Sequence, residues 1–88
     1  MKAIEQDTAR MEEIIMTRMQ ETPHNPALHY EFAMIALRGG AIDDGVRWLE
    51  SALKEDPKYA PAHRTLASYY QQQGDAAQAA RHRELGRQ

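Results

Sequence analysis

The chain has 88 residues, enough for one domain, and 42% of them are hydrophobic, enough for a globular fold. It contains no cysteine, which excludes disulfides and thiolate metal ligands as sources of stability. The net charge of −2 gives no indication of a nucleic-acid or membrane partner, although residues 1–56 are net acidic and residues 57–88 net basic. No apolar run approaches the ~20 residues that span a bilayer, and residues 1–5 lack an apolar signal core, so we expect a cytoplasmic protein.

The first predicted helix covers residues 3–20 and is amphipathic. Ile4, Met11, Ile15 and Met19 recur at helical spacing on one face, and charged residues cover the other. We expect this stripe to dock on the helices that follow. The helix is broken at residues 22–26, where two prolines disfavour helical geometry.

Two further helices follow, over residues 26–38 and 42–55. Asn25 is a good N-cap and Pro26 suits a first helical turn. Gly39-Gly40 is typical of a helix C-terminus, because glycine accepts left-handed backbone geometry. The apolar stripe of the third helix consists of Ile42, Gly45, Val46, Leu49, Ala52 and Leu53.

A fourth helix is predicted over residues 60–73 and a short, alanine-rich fifth helix from about residue 75. Pro61 lies in the first turn of the fourth helix, and Gly74 follows its end. No segment alternates with a period of two, so no strand is expected. The linkers are short, which favours antiparallel neighbouring helices.

The chain repeats itself at a spacing of 34 residues. The matching pairs are Pro23 with Pro57, His29 with His63, Ala33 with Ala67, Gly40 with Gly74, Arg47 with Arg81 and Glu50 with Glu84. A fixed period in this range is typical of stacked helical units.

These residues resemble the tetratricopeptide repeat (TPR). One unit has His29, Phe32-Ala33 and Ala36, then Gly45, Leu49 and Pro57; the next has His63, Leu66-Ala67 and Tyr70, then Ala79 and Arg83. The resemblance implies an all-α, right-handed stack of antiparallel helix pairs with five helices. It divides a single domain, residues 1–88, into a leading helix (1–22), a first repeat (26–57) and a second repeat (60–88).

The last helix departs from the TPR pattern. Ala76, Arg83 and Gly86 stand where the pattern favours other residue types, and Arg81, Arg83 and Arg87 are expected to face outward. Such a helix is either a polar cap, which repeat stacks need at their ends, or the edge of a longer array.

The resemblance also implies a concave groove that binds a peptide or helix of another protein. The residues that would line it are Tyr30, Met34, Leu37, Arg38, Arg64, Ser68, Gln71 and Gln72. Tyr30 and Met34 replace the Lys and Asn with which some TPR proteins clamp a terminal carboxylate, so that clamp is not expected. Arg38 and Arg64 can bind an acidic group instead. The alternative is an ordinary solvated helix face.

Several residues that invite a chemical role are better explained by packing. His29 and His63 occupy equivalent positions near helix starts, and the spacing of the four histidines is not typical of a metal site. Trp48 is predicted to pack against the neighbouring helix, and Tyr69 and Tyr70 are predicted to pack between the repeats. No motif indicates a catalytic site, so neither a cofactor, a metal nor an enzymatic activity is expected.

The function expected from the resemblance is therefore that of a noncatalytic protein-interaction module. The alternative is a structural segment, self-associating or capping a longer array. Homodimerisation through the open ends of the stack belongs to this alternative. Neither the partner nor the pathway follows from the sequence.

Overall fold

Five α-helices form the fold. The computed structural model describes the backbone of residues 2–87 and the side chains of residues 10–87. The helices are α1 (Lys2–Glu21), α2 (Pro26–Arg38), α3 (Ile42–Glu55), α4 (Ala60–Gln72) and α5 (Ala76–Leu85). Residues 2–87 contain no strand, so the all-α prediction is confirmed.

Each helix packs on the helix that follows it in the chain. The contacts between α2 and α3 and between α4 and α5 are the most extensive, and the contacts of α1 with α2 and of α3 with α4 are smaller. The chain therefore contains two close helix pairs, with α1 added in front of the first pair. No helix in residues 2–87 is long and apolar enough to cross a membrane.

The helix ends follow the predicted cap at Asn25 and the predicted glycines, and Asp75 caps α5 in addition. The Asn25 side chain accepts a hydrogen bond from the Ala27 backbone N–H at 3.0 Å, and Asp75 accepts one from the Gln78 N–H at 3.1 Å. Gly40 and Gly74 have φ angles of +84° and +80°, a conformation that side chains with a Cβ disfavour. These two glycines allow the turns inside the two helix pairs.

The core lies between the helices and is small. Its largest fully buried side chains are Leu28, Leu49 and Leu66, one each from α2, α3 and α4. The backbones of α2 and α3 approach closely at Gly45, where a Cβ atom would lie 2.5 Å from the Leu37 Cδ2 atom. The absence of a side chain at Gly45 allows this close crossing.

Two residues assigned to apolar stripes are exposed instead. On α1, Ile15 is buried and Met19 packs beside it, but Met11 is 45% exposed, because within the described structure α1 is covered by α2 on one side only. Ile42 is 41% exposed, because it lies in the first turn of α3 beside an open cleft. The side chain of Ile4 lies outside the described residues.

Candidate functional site

His29 joins the start of α2 to the turn before it and to α3. Its ring is buried, and its Nε2 atom lies 2.8 Å from the carbonyl oxygen of Pro23. Because a carbonyl only accepts hydrogen bonds, Nε2 carries the proton and donates it. The Nδ1 atom is then the acceptor, and the Ser51 hydroxyl donates to it at 2.6 Å.

His63 repeats this arrangement at the start of α4. Its Nε2 donates to the Pro57 carbonyl at 2.7 Å, and its Nδ1 accepts from the Nδ1–H of His82 on α5 at 3.0 Å. Burial lowers the pKa of His82, and the neighbouring His63 and Arg81 lower it further. Both repeated histidines are thus packing residues, as predicted. Within residues 10–87, no group of three or more potential ligands is placed to hold a metal.

The aromatic side chains also pack between helices. Trp48 of α3 stacks on Phe32 with ring centroids 4.7 Å apart and meets His29 edge to face at 5.6 Å. The ring of Tyr70 lies parallel to that of His82, at 5.6 Å, so it packs within its own helix pair. Trp48 thus packs against the neighbouring helix as predicted, whereas Tyr70 stacks on the next helix of its own unit and not between the repeats.

An apolar surface depression lies between α1 and α2, and we call it the α1–α2 groove. It has a volume of about 300 Å³. Its lining residues are Met11, Ile14, Ile15 and Arg18 from α1, and Tyr30, Glu31, Met34, Ile35 and Arg38 from α2. Ile14 is 52% exposed, so a large apolar side chain on the α1 wall faces solvent. Such a wall favours contact with apolar groups of another molecule.

The charged groups of the α1–α2 groove are two arginines and one glutamate. Arg18 crosses from α1 to α2 and forms a salt bridge with Glu31, with 3.6 Å between Nη1 and Oε2. Arg38, in the last turn of α2, is exposed and forms no salt bridge within residues 10–87.

Burial raises the pKa of Tyr59, which packs on Tyr30, and the nearby Tyr30, Glu31 and Asp56 raise it further. The Tyr59 phenol therefore stays neutral near pH 7.

The structure divides the predicted groove residues among three places. Tyr30, Met34 and Arg38 lie together in the α1–α2 groove. Leu37, Ser68 and Gln72 line a second depression, of about 350 Å³, which we call the α2–α4 cleft. The cleft also contains Ile42, Thr65, Tyr69 and Gln73.

The two remaining predicted residues lie away from both depressions. The Arg64 side chain runs beside Gly86 at the end of α5. Gln71 accepts a hydrogen bond from the Arg83 guanidinium of α5 at 2.8 Å. The structure thus brings Arg18, not Arg64, close to the apolar residues of the α1–α2 groove.

Sequence reasoning missed the α1 wall of the groove. The predicted groove residues include neither Ile14 nor Arg18, and the predicted role of Met11 and Ile15 is to dock α1 on the following helices. The 34-residue spacing carried the missing signal, because it aligns Met11 with Gly45 and Ile14 with Trp48, two residues that face α2. Glu31 and Ile35, on the α2 wall, were also missed.

Comparison with known proteins agrees with the repeat interpretation. The chain is 38% identical over 61 residues to a TPR repeat-containing thioredoxin of Arabidopsis thaliana. The match covers 69% of this chain and 9% of that relative, so the chain corresponds to a small part of the longer protein. No protein-family model matches. The similarity to the plant protein supports TPR-type repeats in this chain, a kind of repeat associated in general with protein interaction.

Proposed function

We propose that the chain is a noncatalytic protein-interaction module that binds a peptide or helix of a partner protein. The relative whose name includes TPR repeats supports this class of function. The thioredoxin activity in that name would need a reactive cysteine pair, and none of the 88 residues is cysteine. The proposal includes the division into a leading helix (1–22) and two units (26–57 and 60–88).

The α1–α2 groove is the observation that carries the proposal. It combines exposed apolar side chains with arginine, and arginine and tyrosine are the residue types most enriched in binding hot spots. Met11 and Met34 add flexible apolar surface that adapts to a partner. A segment with an apolar anchor and a carboxylate near Arg38 suits this site.

The α2–α4 cleft extends the proposed binding surface. Leu37 gives it one apolar residue, and Ser68 and Gln72 give it polar groups that can bond to a partner's backbone. The predicted site therefore becomes two neighbouring parts, an apolar α1–α2 groove and a more polar cleft. Arg64 and Gln71 stay candidates on the α5 side of α4.

Self-association is the second candidate function, and the exposed residues of α1 favour it. Met11, Ile14 and Met16 are all about half exposed on this one helix, and such patches can mark contacts between copies. A cytoplasmic location and the absence of nucleic-acid partners stay predictions.

Affinity capture with three forms of the protein tests the proposed function. The forms are wild type, a Tyr30→Ala/Met34→Glu double variant in the α1–α2 groove, and an Arg47→Glu variant on the exposed side of α3 as a matched control. Quantitative mass spectrometry of the captured proteins, with circular dichroism as a check on folding, is the measurement. We expect partners that are retained by the control and lost by the double variant.

Two results would contradict the proposal. One is a set of captured proteins that is the same for wild type and for the double variant. The other is sedimentation that shows a stable dimer, disrupted by Met16→Glu, with no protein captured by any form. That combination would favour self-association as the function.

A further inference from the structure

The α1 wall of the groove corresponds to the face that α3 uses to pack on α2. That face consists of Gly45, which meets Leu37 and the Ala33 carbonyl, together with Trp48, Leu49 and Ala52. The residues 34 positions earlier are Met11, Ile14, Ile15 and Arg18. All four line the α1–α2 groove. On α3 this face is covered by a helix, whereas on α1 Ile15 is buried against α2 and Met11, Ile14 and Arg18 are exposed.

The α2 wall of the groove corresponds to a face of α4, again at a spacing of 34 residues. The α4 residues that face Leu37 across the α2–α4 cleft include Thr65, Ser68, Tyr69 and Gln72. Their counterparts 34 positions earlier are Glu31, Met34, Ile35 and Arg38, and these line the α1–α2 groove as well. A helix lying in the groove would therefore contact α1 and α2 in the way that α2 contacts α3 and α4.

We infer that the α1–α2 groove is a binding site for an α-helix of another protein, which takes beside α1 and α2 the position that α2 takes beside α3 and α4. The inference rests on the proposed function and specifies the class of its partner. It selects a helix over an extended peptide, because the chain itself places a helix at the equivalent position.

The residues that differ between the two positions define the chemistry of the bound helix. Opposite Gly45, α2 carries Leu37, and a single added Cβ would already lie 2.5 Å from that side chain. In the groove the position of Gly45 is occupied by Met11. The bound helix must therefore carry a small residue where α2 has Leu37.

The charges of the groove set a second requirement. Arg38 occupies the position of Gln72, on the side of the cleft that faces the last turn of α2. Its guanidinium would face the last turn of a bound helix, where free carbonyls and the negative end of the helix dipole favour a cation. A carboxylate in that turn would strengthen the contact. Arg18 is already paired with Glu31, which leaves Arg38 as the cation available to the partner.

The chain supplies its own probe for this site. We propose a fluorescein-labelled peptide with the sequence of residues 25–38, which contains α2 and its N-cap, carrying Leu37→Ala together with Arg38→Glu, which places a carboxylate in its last turn. The matched native peptide carries the same Arg38→Glu change and keeps the native leucine. Fluorescence anisotropy against the full chain measures the affinity of each peptide.

We expect the Leu37→Ala peptide to bind at least about tenfold more tightly than the native peptide. Ile14→Glu in the protein should weaken its binding by about tenfold or more, because it places a charge on the apolar wall. Met16→Glu, a substitution outside the groove on the same helix, should leave the affinity unchanged. Met11→Ala should remove the preference between the two peptides. It makes space in the groove for the leucine of the native peptide, as Gly45 makes space for Leu37 between α2 and α3.

Four results would overturn the inference. No saturable binding of the Leu37→Ala peptide up to about 1 mM would show that a helix of this kind has no site here. Binding that is unaffected by Ile14→Glu would place the peptide elsewhere. A dimer in sedimentation that Ile14→Glu dissociates would assign the groove to a second copy, and loss of probe binding in a longer form of the chain would assign it to a preceding segment.

These results are distinguishable from failure of the proposed function. One outcome is that captured partners depend on Met34 but not on Ile14, and that the probe does not bind. It would support the proposed interaction module and contradict the binding of a helix in the groove. Captured partners that depend on both residues, with probe binding, would support both conclusions.

Discussion

A buried histidine holds the start of each helix pair. His29 and His63 each donate to a proline carbonyl six residues earlier, and each accepts a hydrogen bond from the following helix. Tryptophan, which many TPR units carry at this position, has only one ring N–H and no acceptor. The histidine ring satisfies two groups at once, so its burial leaves neither nitrogen unpaired.

Stability also depends on pH through His82, which is hydrogen-bonded to His63. The pKa of His82 is lowered in the folded state from an ordinary value of 6.5, mainly by burial. As the pH falls, the unfolded chain therefore takes up a proton on this residue before the folded chain does. This contribution to stability is fully present above the unfolded pKa and is lost as the pH falls towards the folded pKa.

We predict that wild type loses stability relative to a His82→Gln variant between about pH 7.5 and about pH 5. Glutamine can still donate a hydrogen bond to His63 but does not titrate. Urea denaturation of both proteins at the two pH values is the measurement. A stability difference that is equal at both values, or that shifts in favour of wild type at the lower pH, would contradict the assignment.

At the scale of the element, α1 has two apolar faces with different roles. Ile15 is 5% exposed and packs on α2, whereas its neighbour Ile14 is 52% exposed on the wall of the α1–α2 groove. Ile15→Ala should reduce the free energy of unfolding by about 2–4 kcal/mol, because it leaves a cavity. Ile14→Ala should change it by no more than about 0.5 kcal/mol.

Urea denaturation of the two alanine variants, with equal m-values as the check on two-state behaviour, compares the two faces within one helix. Equal losses of stability for Ile14→Ala and Ile15→Ala would mean that α1 is covered on both faces, and that no open wall exists.

The crossing of α2 and α3 depends on the absence of a side chain at Gly45. Gly45→Ala should reduce the free energy of unfolding by about 1–3 kcal/mol, because the new Cβ overlaps Leu37. Gly39→Ala is the matched control, since a Cβ there meets only backbone oxygen atoms, at 3.5 and 3.7 Å. Thermal or urea unfolding measures both variants, and a stable Gly45→Ala protein would show that the helices are not held as closely as described.

The residue pattern predicted the helices better than it predicted the open surface. Asn25, Gly40 and Gly74 mark helix ends through local geometry, so the sequence alone indicates them. The exposure of Met11 could not be predicted in the same way. Helical spacing shows that a residue shares a face with others, but it does not show whether a second helix covers that face.

At the scale of the whole molecule, the candidate site is divided because each helix packs on the next helix in the chain. The predicted residues came from the first helices of the two units, and they were expected to form one wall. In the structure, α2 contributes Tyr30, Met34 and Arg38 to the groove shared with α1, and Leu37 to the cleft shared with α4. Side chains of one helix thus point into two different depressions. The groove positions implied by the TPR resemblance do not predict this division.

We expect the α1–α2 groove to bind a helix, and methyl NMR can observe that binding at the groove residues themselves. Labelled Met ε-methyl and Ile δ1-methyl groups provide reporters in the groove, at Met11, Ile14, Met34 and Ile35, and outside it, at Met16 and Ile42. The protein would be titrated with the Leu37→Ala peptide of residues 25–38.

We expect the signals of Met11, Ile14, Met34 and Ile35 to shift together along one binding curve, while those of Met16 and Ile42 stay in place. Shifts concentrated at Ile42, in the α2–α4 cleft, or no shift at the groove methyls at saturating peptide, would contradict it.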